Sequence, residues 1–208
     1  MRLTTTTNVS VDGVMQGLGG PEEDRRGGFD RGGWALPLID AEAGDYLNDV
    51  YGGADAFLLG RRTYEIFAPY WGAMIDPRTN PIAAALNNRP KYVVSTSLTH
   101  PEWAGTTVLT GDVVTAVGDL RAQHDGELLV PGSGALVRWL LANDLVDQLD
   151  LVTYPVIVGQ GTRLFPDSGP DTALQLVNSR TTSGGITIAT YRPAGRPVYA
   201  APAADSTA

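Results

Sequence analysis

Short apolar runs alternate with helix-period segments along almost the whole chain, and this alternation limits the possible fold more than any other feature. Residues 3–15 are rich in Thr and Val and read as a strand that enters a tight turn at Asp12-Gly13. Further runs at 54–59, 91–95, 106–109, 127–130 and 149–158 also read as strands. Helical patterns lie between them. Ala43, Leu47, Val50 and Tyr51 recur at helix spacing after Asp40, and the pattern stops at Gly52-Gly53. Helical spacing resumes at Arg61 and returns over 112–124 and 135–143. The last two runs, 174–179 and 186–192, flank a polar turn containing Gly184-Gly185 and predict a β-hairpin. Elements in this order predict an α/β fold: a mostly parallel sheet, helices covering it and an antiparallel edge. No linker or internal repeat interrupts the chain, so a single domain is expected over 1–197, with a disordered tail over 198–208.

Bulk properties remove several function classes. The 208 residues carry a net charge of -8, which disfavours non-specific attraction to nucleic acid or to an anionic membrane. The absence of cysteine excludes disulfides, thiolate metal sites and a cysteine nucleophile. His100 and His124 are the two histidines, too few and too far apart for a metal cluster or a Ser-His-Asp triad. Both lie among polar residues and are expected at the surface. The N-terminal stretch is polar and lacks the apolar core of a secretory signal. No apolar run approaches the roughly 20 residues of a membrane span, so the expected location is the cytoplasm.

Two glycine-bearing turns are placed where an open α/β sheet binds ligands, at strand ends that feed helices. At the first, Gly60 permits a sharp turn, and Arg61, Arg62 and Thr63 place positive charge and a hydroxyl at a helix start. Two arginines there oppose the helix dipole unless an anion offsets them, which marks a candidate phosphate site. The second turn is Pro131-Gly132-Ser133-Gly134, whose glycines leave room for close backbone approach to a pyrophosphate. It lacks the full GxGxxG spacing, and no P-loop is present. Ser95-Thr96-Ser97 at a strand end reads either as a ribose or 2′-phosphate contact or as an N-cap cluster. Residues 17–33, seven of them glycine, read either as a surface excursion or as a mobile flap beside an active site.

These pieces together resemble the dihydrofolate reductase-like superfamily. The resemblance is to the branch of bacterial reductases related to the C-terminal domain of the riboflavin-pathway pyrimidine reductase. It rests on Ser10-Val11-Asp12-Gly13, on Gly60-Arg61-Arg62-Thr63-Tyr64-Glu65 and on Pro131-Gly132-Ser133-Gly134. Pro155-Val156-Ile157-Val158-Gly159-Gln160-Gly161 and Leu164-Phe165 complete the set, in the family's order. It implies a three-layer fold with a central mixed sheet of about eight strands, and NADPH as cofactor. Arg61, Arg62 and Thr63 would hold its phosphates, and Ser95 and Thr96 would lie near the 2′-phosphate. Gly132, Ser133 and Gly134 would follow the pyrophosphate, with Pro131 near the nicotinamide. Asp12 would border the nicotinamide and the loop. The relatives also imply a homodimer.

On the substrate side, Trp34-Ala35-Leu36-Pro37-Leu38-Ile39-Asp40 resembles the Trp-x-Leu-Pro segment that folate reductases carry before a substrate-binding carboxylate, one residue longer here. Asp40 reads either as that carboxylate or as a helix cap. Trp34 and Tyr154 are substrate-side candidates. Tyr64, Phe67 and Trp71 read either as an aromatic wall or as core. The reading that follows is an NADPH-dependent reductase passing a hydride to a small heterocycle of pteridine, pyrimidine or similar type. The alternative is a catalytically silent NADP(H)-binding or sensor protein on the same fold.

Overall fold

A computed structural model describes residues 1–74, 76, 80–123, 125–169 and 171–200. The expectations for His124 and for residues 201–208 of the tail lie outside the described residues; His100 is exposed. The strands are β1 (Arg2–Ser10), β2 (Ala56–Gly60), β3 (Lys91–Val94), β4 (Thr106–Leu109), β5 (Glu127–Pro131), β6 (Gln148–Tyr154), β7 (Leu174–Thr181) and β8 (Thr187–Pro193). The described helices are α1 (Ala41–Gly53), α2 (Arg61–Trp71), α3 (Pro81–Asn88), α4 (Val113–Gln123) and α5 (Gly134–Ala142).

The strands form one eight-stranded sheet in the order β4-β3-β2-β5-β1-β6-β8-β7. Every pairing from β4 to β6 is parallel, and β8 pairs antiparallel with both β6 and β7. The order reverses at β5, which inserts between β2 and β1 after the chain has run outward to β4. Crevices at such reversals hold ligands in open α/β sheets.

β1 runs through the middle of the sheet with both faces covered, and Leu3, Thr4, Thr5, Thr6, Thr7, Val9 and Ser10 are all buried. β-branched threonine suits this backbone. The hydroxyls of Thr4 through Thr7 nevertheless have no hydrogen-bond partner. Along β2 the side chains alternate between two cores, as strand periodicity requires. Leu58 joins Leu3, Leu128, Val130 and the inward stripe of α5, Leu136, Val137, Leu140 and Leu141. Phe57 and Leu59 join Tyr51 of α1, Tyr64 of α2 and Leu86 of α3. Helices thus cover both faces, giving three layers.

The structure differs from the sequence pattern at two places. α3 was not expected. Asn80 caps it by accepting from the Ala83 N–H at 3.1 Å, Pro81 opens it, and Ala83, Ala85 and Leu86 are buried. β6 ends at Tyr154, not at 158, because Pro155 has no N–H to donate to a ladder. The segment after it turns back toward β1: Val11 N–H donates to Val156 O at 2.9 Å.

Candidate cofactor and substrate site

The two glycine-bearing turns meet at the carboxyl edge of the parallel strands. Gly60 is the N-cap of α2, and Ser133, in the left-handed region at φ 57°, is the N-cap of α5. Neither caps its helix with a side chain. Ser133 Oγ instead accepts from the Gly60 N–H at 3.0 Å and donates to Thr63 Oγ1 at 2.7 Å, tying one turn to the other. A non-glycine residue at positive φ is strained by about 1–3 kcal/mol, and such strain concentrates at functional sites. Gly134 admits no side chain without movement, since a Cβ there would fall 2.5 Å from Met15 Sδ.

A cavity opens on each side of this junction. The smaller, about 290 Å³, is lined by Thr7 and Asn8 of β1, by Thr63, Arg62, Ile66 and Phe67 of α2, by Pro131–Gly134 and by Tyr51. Further wall comes from Gln16 and, in the glycine-rich segment that follows it, from Glu23, Asp24 and Arg26, with Met15, Arg138 and Thr162 beside them. The second, about 450 Å³, lies against Val94, Gly111–Val114 and Trp139. Gly60, Ala135 and Leu136 line both.

The arginines at the α2 start face carboxylates. Arg61 approaches Glu65 at 3.5 Å and donates to Ser97 Oγ at 2.9 Å. Arg62 pairs with Asp24 at 3.2 Å and with Glu65 at 3.6 Å. Asp24 also takes two bonds from Arg26, at 2.8 and 2.6 Å. Burial pushes the Asp24 carboxyl up, but the hydrogen bonds and charge of Arg26 and the charge of Arg62 outweigh it and hold it below the usual range. Arg62 Nε and Thr7 Oγ1, both buried, have no partner. Two helix N-termini, a guanidinium and these spare donors beside one cavity could receive an anion, and their chemistry fits the diphosphate of a dinucleotide.

Asp12, Trp34, Asp40, Ser95, Thr96 and Tyr154 stand apart from the cavities. Asp40 caps α1, accepting from Ala43 N–H at 2.8 Å, and its other oxygen accepts from Gly184 N–H at 2.9 Å in the β7–β8 turn. Asp12 accepts from the N–H groups of Val158 and Gly159 at 3.0 and 2.8 Å and from Ser10 Oγ at 2.6 Å. Burial opposes the shift, yet these bonds hold the Asp12 carboxyl down at about 2. Trp34 donates to Gln16 O at 2.8 Å and meets Tyr154 edge-on, ring centres 5.7 Å apart. Tyr154 is fully buried with its hydroxyl 3.3 Å from Asn8 Oδ1. Burial, helped by the Asp40 charge, pushes it up to about 12. Ser95 Oγ accepts from the N–H groups of Ser97 and Leu98, a local cap, and Thr96 is exposed. Of the aromatic trio, Phe67 reaches the cavity, Tyr64 is core, and Trp71 packs edge-on against Phe67 and Tyr70.

The glycine-rich segment supplies residues that the motifs did not point to. Gln16 is buried; its amide N donates to Asp24 O at 3.1 Å and Arg26 O at 3.0 Å, and its Oε1 accepts from Thr162 at 2.9 Å. Glu23 accepts from Gly19 N–H at 2.9 Å. Burial pushes its carboxyl above the usual range, with the neighbouring Asp24 charge acting in the same direction. The sequence hint to them is the run of charges 22–26 inside a glycine-rich stretch. Among the described residues no group of three or more His, Cys, Asp or Glu is arranged to hold a metal ion, and no described helix is long and apolar enough to cross a membrane.

The chain belongs to the RibD C-terminal domain family, whose model matches residues 2–188. Among curated proteins it is similar to the uncharacterised protein YyaP of Bacillus subtilis (strain 168), 26% identical over 192 residues that cover 91% of this chain and 94% of that one. Two crystal structures share the fold. One is a provisionally assigned riboflavin biosynthesis protein of Shewanella sp. PV-4, with a TM-score of 0.70, 20% identity and coverage of 93% and 99%. The other is a pyrimidine reductase-like protein of Corynebacterium diphtheriae NCTC, with a TM-score of 0.61, 16% identity and coverage of 93% and 92%.

Proposed function

We propose that the chain is a cytoplasmic NADPH-dependent reductase acting on a small heterocycle of pteridine or pyrimidine type. The observation that carries this reading is the Gly60–Ser133–Thr63 junction, with a cavity on either side and Gly60, Ala135 and Leu136 shared by both. A dinucleotide is two ring systems joined by a diphosphate, and two cavities joined at two helix N-termini match that shape and charge. When bound, NADPH supplies the hydride. The N–H groups at the starts of α2 and α5, with Arg62 and Thr63, would neutralise the diphosphate. Arg61 and Ser97, already in contact, would take the ribose phosphate that separates NADPH from NADH. Tyr51 and Phe67 line the smaller cavity and offer flat apolar surface to a ring. Glu23, whose carboxyl burial pushes above the usual range, would supply the proton that completes the reduction.

Titration of the protein with NADPH and NADH, followed by tryptophan fluorescence or calorimetry, tests the reading. Saturable binding with NADPH preferred, and that preference lost in Arg61→Ala, is the expected result. No binding of either dinucleotide would refute it. A second reading, a silent NADP(H)-binding or sensor protein, is favoured by one observation: Asp40, the carboxylate expected on the substrate side, is committed to capping α1 and holding Gly184. Steady NADPH oxidation with any pteridine or pyrimidine separates the two.

A homodimer belongs to the same proposal. All eight residues of β7 are exposed at the sheet edge, including Leu176 at 53% and Val177 at 48%. Open edges of this kind are normally covered, and a second copy of this chain is the occupant we assign. Light scattering after gel filtration would then report a dimer, and Leu176→Glu would shift it toward monomer.

A further inference from the structure

We infer that Asp24 is an internal stand-in for the cofactor's phosphate: it neutralises Arg62 and is displaced from it when the diphosphate arrives. The inference rests on the cofactor reading above and adds to it a coupling between the glycine-rich segment and binding. Asp24 belongs to that segment, 38 residues before Arg62 in sequence, yet its carboxylate is only 4% exposed and contacts Arg62 at the start of α2 at 3.2 Å. Both residues line the smaller cavity.

The carboxylate thus occupies the position an arriving phosphate oxygen would take on the guanidinium. Its two contacts are unequal. Arg26 holds both oxygens, at 2.8 and 2.6 Å, whereas Arg62 holds one at 3.2 Å. A doubly charged diphosphate competes for the weaker contact and leaves the stronger intact. Asp24 and Arg26 then move as a neutral pair away from Arg62. Gln16, bonded to the carbonyls of both residues, keeps the backbone of the segment attached to Thr162. Arg62 does not become an uncompensated charge in either state, because Glu65 stays within 3.6 Å.

A carboxylate with a purely structural role would weaken binding when removed. A stand-in does the opposite, since its removal frees the receptor. Asp24→Asn is therefore expected to tighten NADPH binding by about tenfold, and the gain should vanish in an Arg62→Ala background. Unchanged or weaker binding in D24N, with the wild type still binding, overturns the stand-in and leaves the cofactor reading in place. A gain that persists in R62A also overturns it, since general charge repulsion would then be the cause. If neither wild type nor D24N binds NADPH, both readings fall. Hydrogen exchange of the unsubstituted chain gives a second readout that survives any misfolding of the variants. NADPH should speed exchange at amides 22–28; unchanged or slowed exchange there counts against displacement.

Discussion

The two walls of the smaller cavity are built differently. One wall consists of the turns at Gly60–Thr63 and Pro131–Gly134, where backbone N–H groups, a strained serine and a crowded glycine are fixed by strand ends of the central sheet. The other consists of Gln16, Glu23, Asp24 and Arg26, side chains on a glycine-rich segment tethered through Gln16 to Thr162. The first wall presents backbone donors held by the sheet, an arrangement suited to a group such as a diphosphate. The second is made of titratable side chains whose charges are set by their neighbours. On the proposed reading, the first wall takes the cofactor's diphosphate and the second supplies the proton.

Glu23 offers the strongest way to break the comparison. Burial holds its carboxyl above the usual range, so a rate that needs its proton should fall as pH rises through that elevated value. In a reduction assay Glu23→Gln should lose about a hundredfold in turnover, and this descending limb should disappear with it. A profile left intact in the variant would move the proton source elsewhere, to solvent.

On the other wall, Arg62→Ala should weaken NADPH binding about 10- to 100-fold, as loss of a charge-assisted contact does. Because Arg62 meets both walls, the same variant should also release Asp24. Gly132→Ala comes next. Its φ of 61° lies in the left-handed region, so a methyl group costs about 1–2 kcal/mol whatever the space around it. A lowered denaturant midpoint with unchanged slope would show that the turn conformation is intrinsic to the fold.

The two walls also differ in how readable they were. The sheet, its parallel centre and the C-terminal hairpin follow from runs whose period and turn residues are local, and Gly60-Arg61-Arg62-Thr63 and Pro131-Gly132-Ser133-Gly134 are each legible as ligand-binding turns, although their contact through Ser133 is not. The second wall depends on contacts between distant parts of the chain. Nothing near Gln16 says that its amide will bridge Asp24 and Arg26 to Thr162, 146 residues away. Helix spacing brings Glu65 to Arg61 and Arg62, but no spacing could show that Asp24 also reaches Arg62. Asx chemistry is ambiguous for the same reason. A carboxylate before an apolar helix caps it or binds a ligand depending on what the rest of the fold brings up, and here the fold brings Gly184 to Asp40.

Asp40 therefore gives the smallest effect and the sharpest control, since it belongs to neither wall. The Thr182 hydroxyl, the Ala43 N–H and the Gly184 N–H hold its carboxyl below the usual range, against a small opposing effect of burial. A carboxyl lowered in the folded state contributes stability that is complete above its unfolded value and is lost as pH falls through the folded one. Asp40→Ala should therefore lower the Tm at neutral pH, and the gap to wild type should close in acid as the wild-type carboxyl takes up its proton. NADPH affinity should stay within about twofold, because none of the three donors touches either cavity. If D40A instead weakened substrate binding while leaving the Tm alone, the substrate wall would extend along β6 through Tyr154, whose hydroxyl already contacts Asn8 at the cavity edge. The acid titration of Tm distinguishes the cap from the ligand without any knowledge of the substrate.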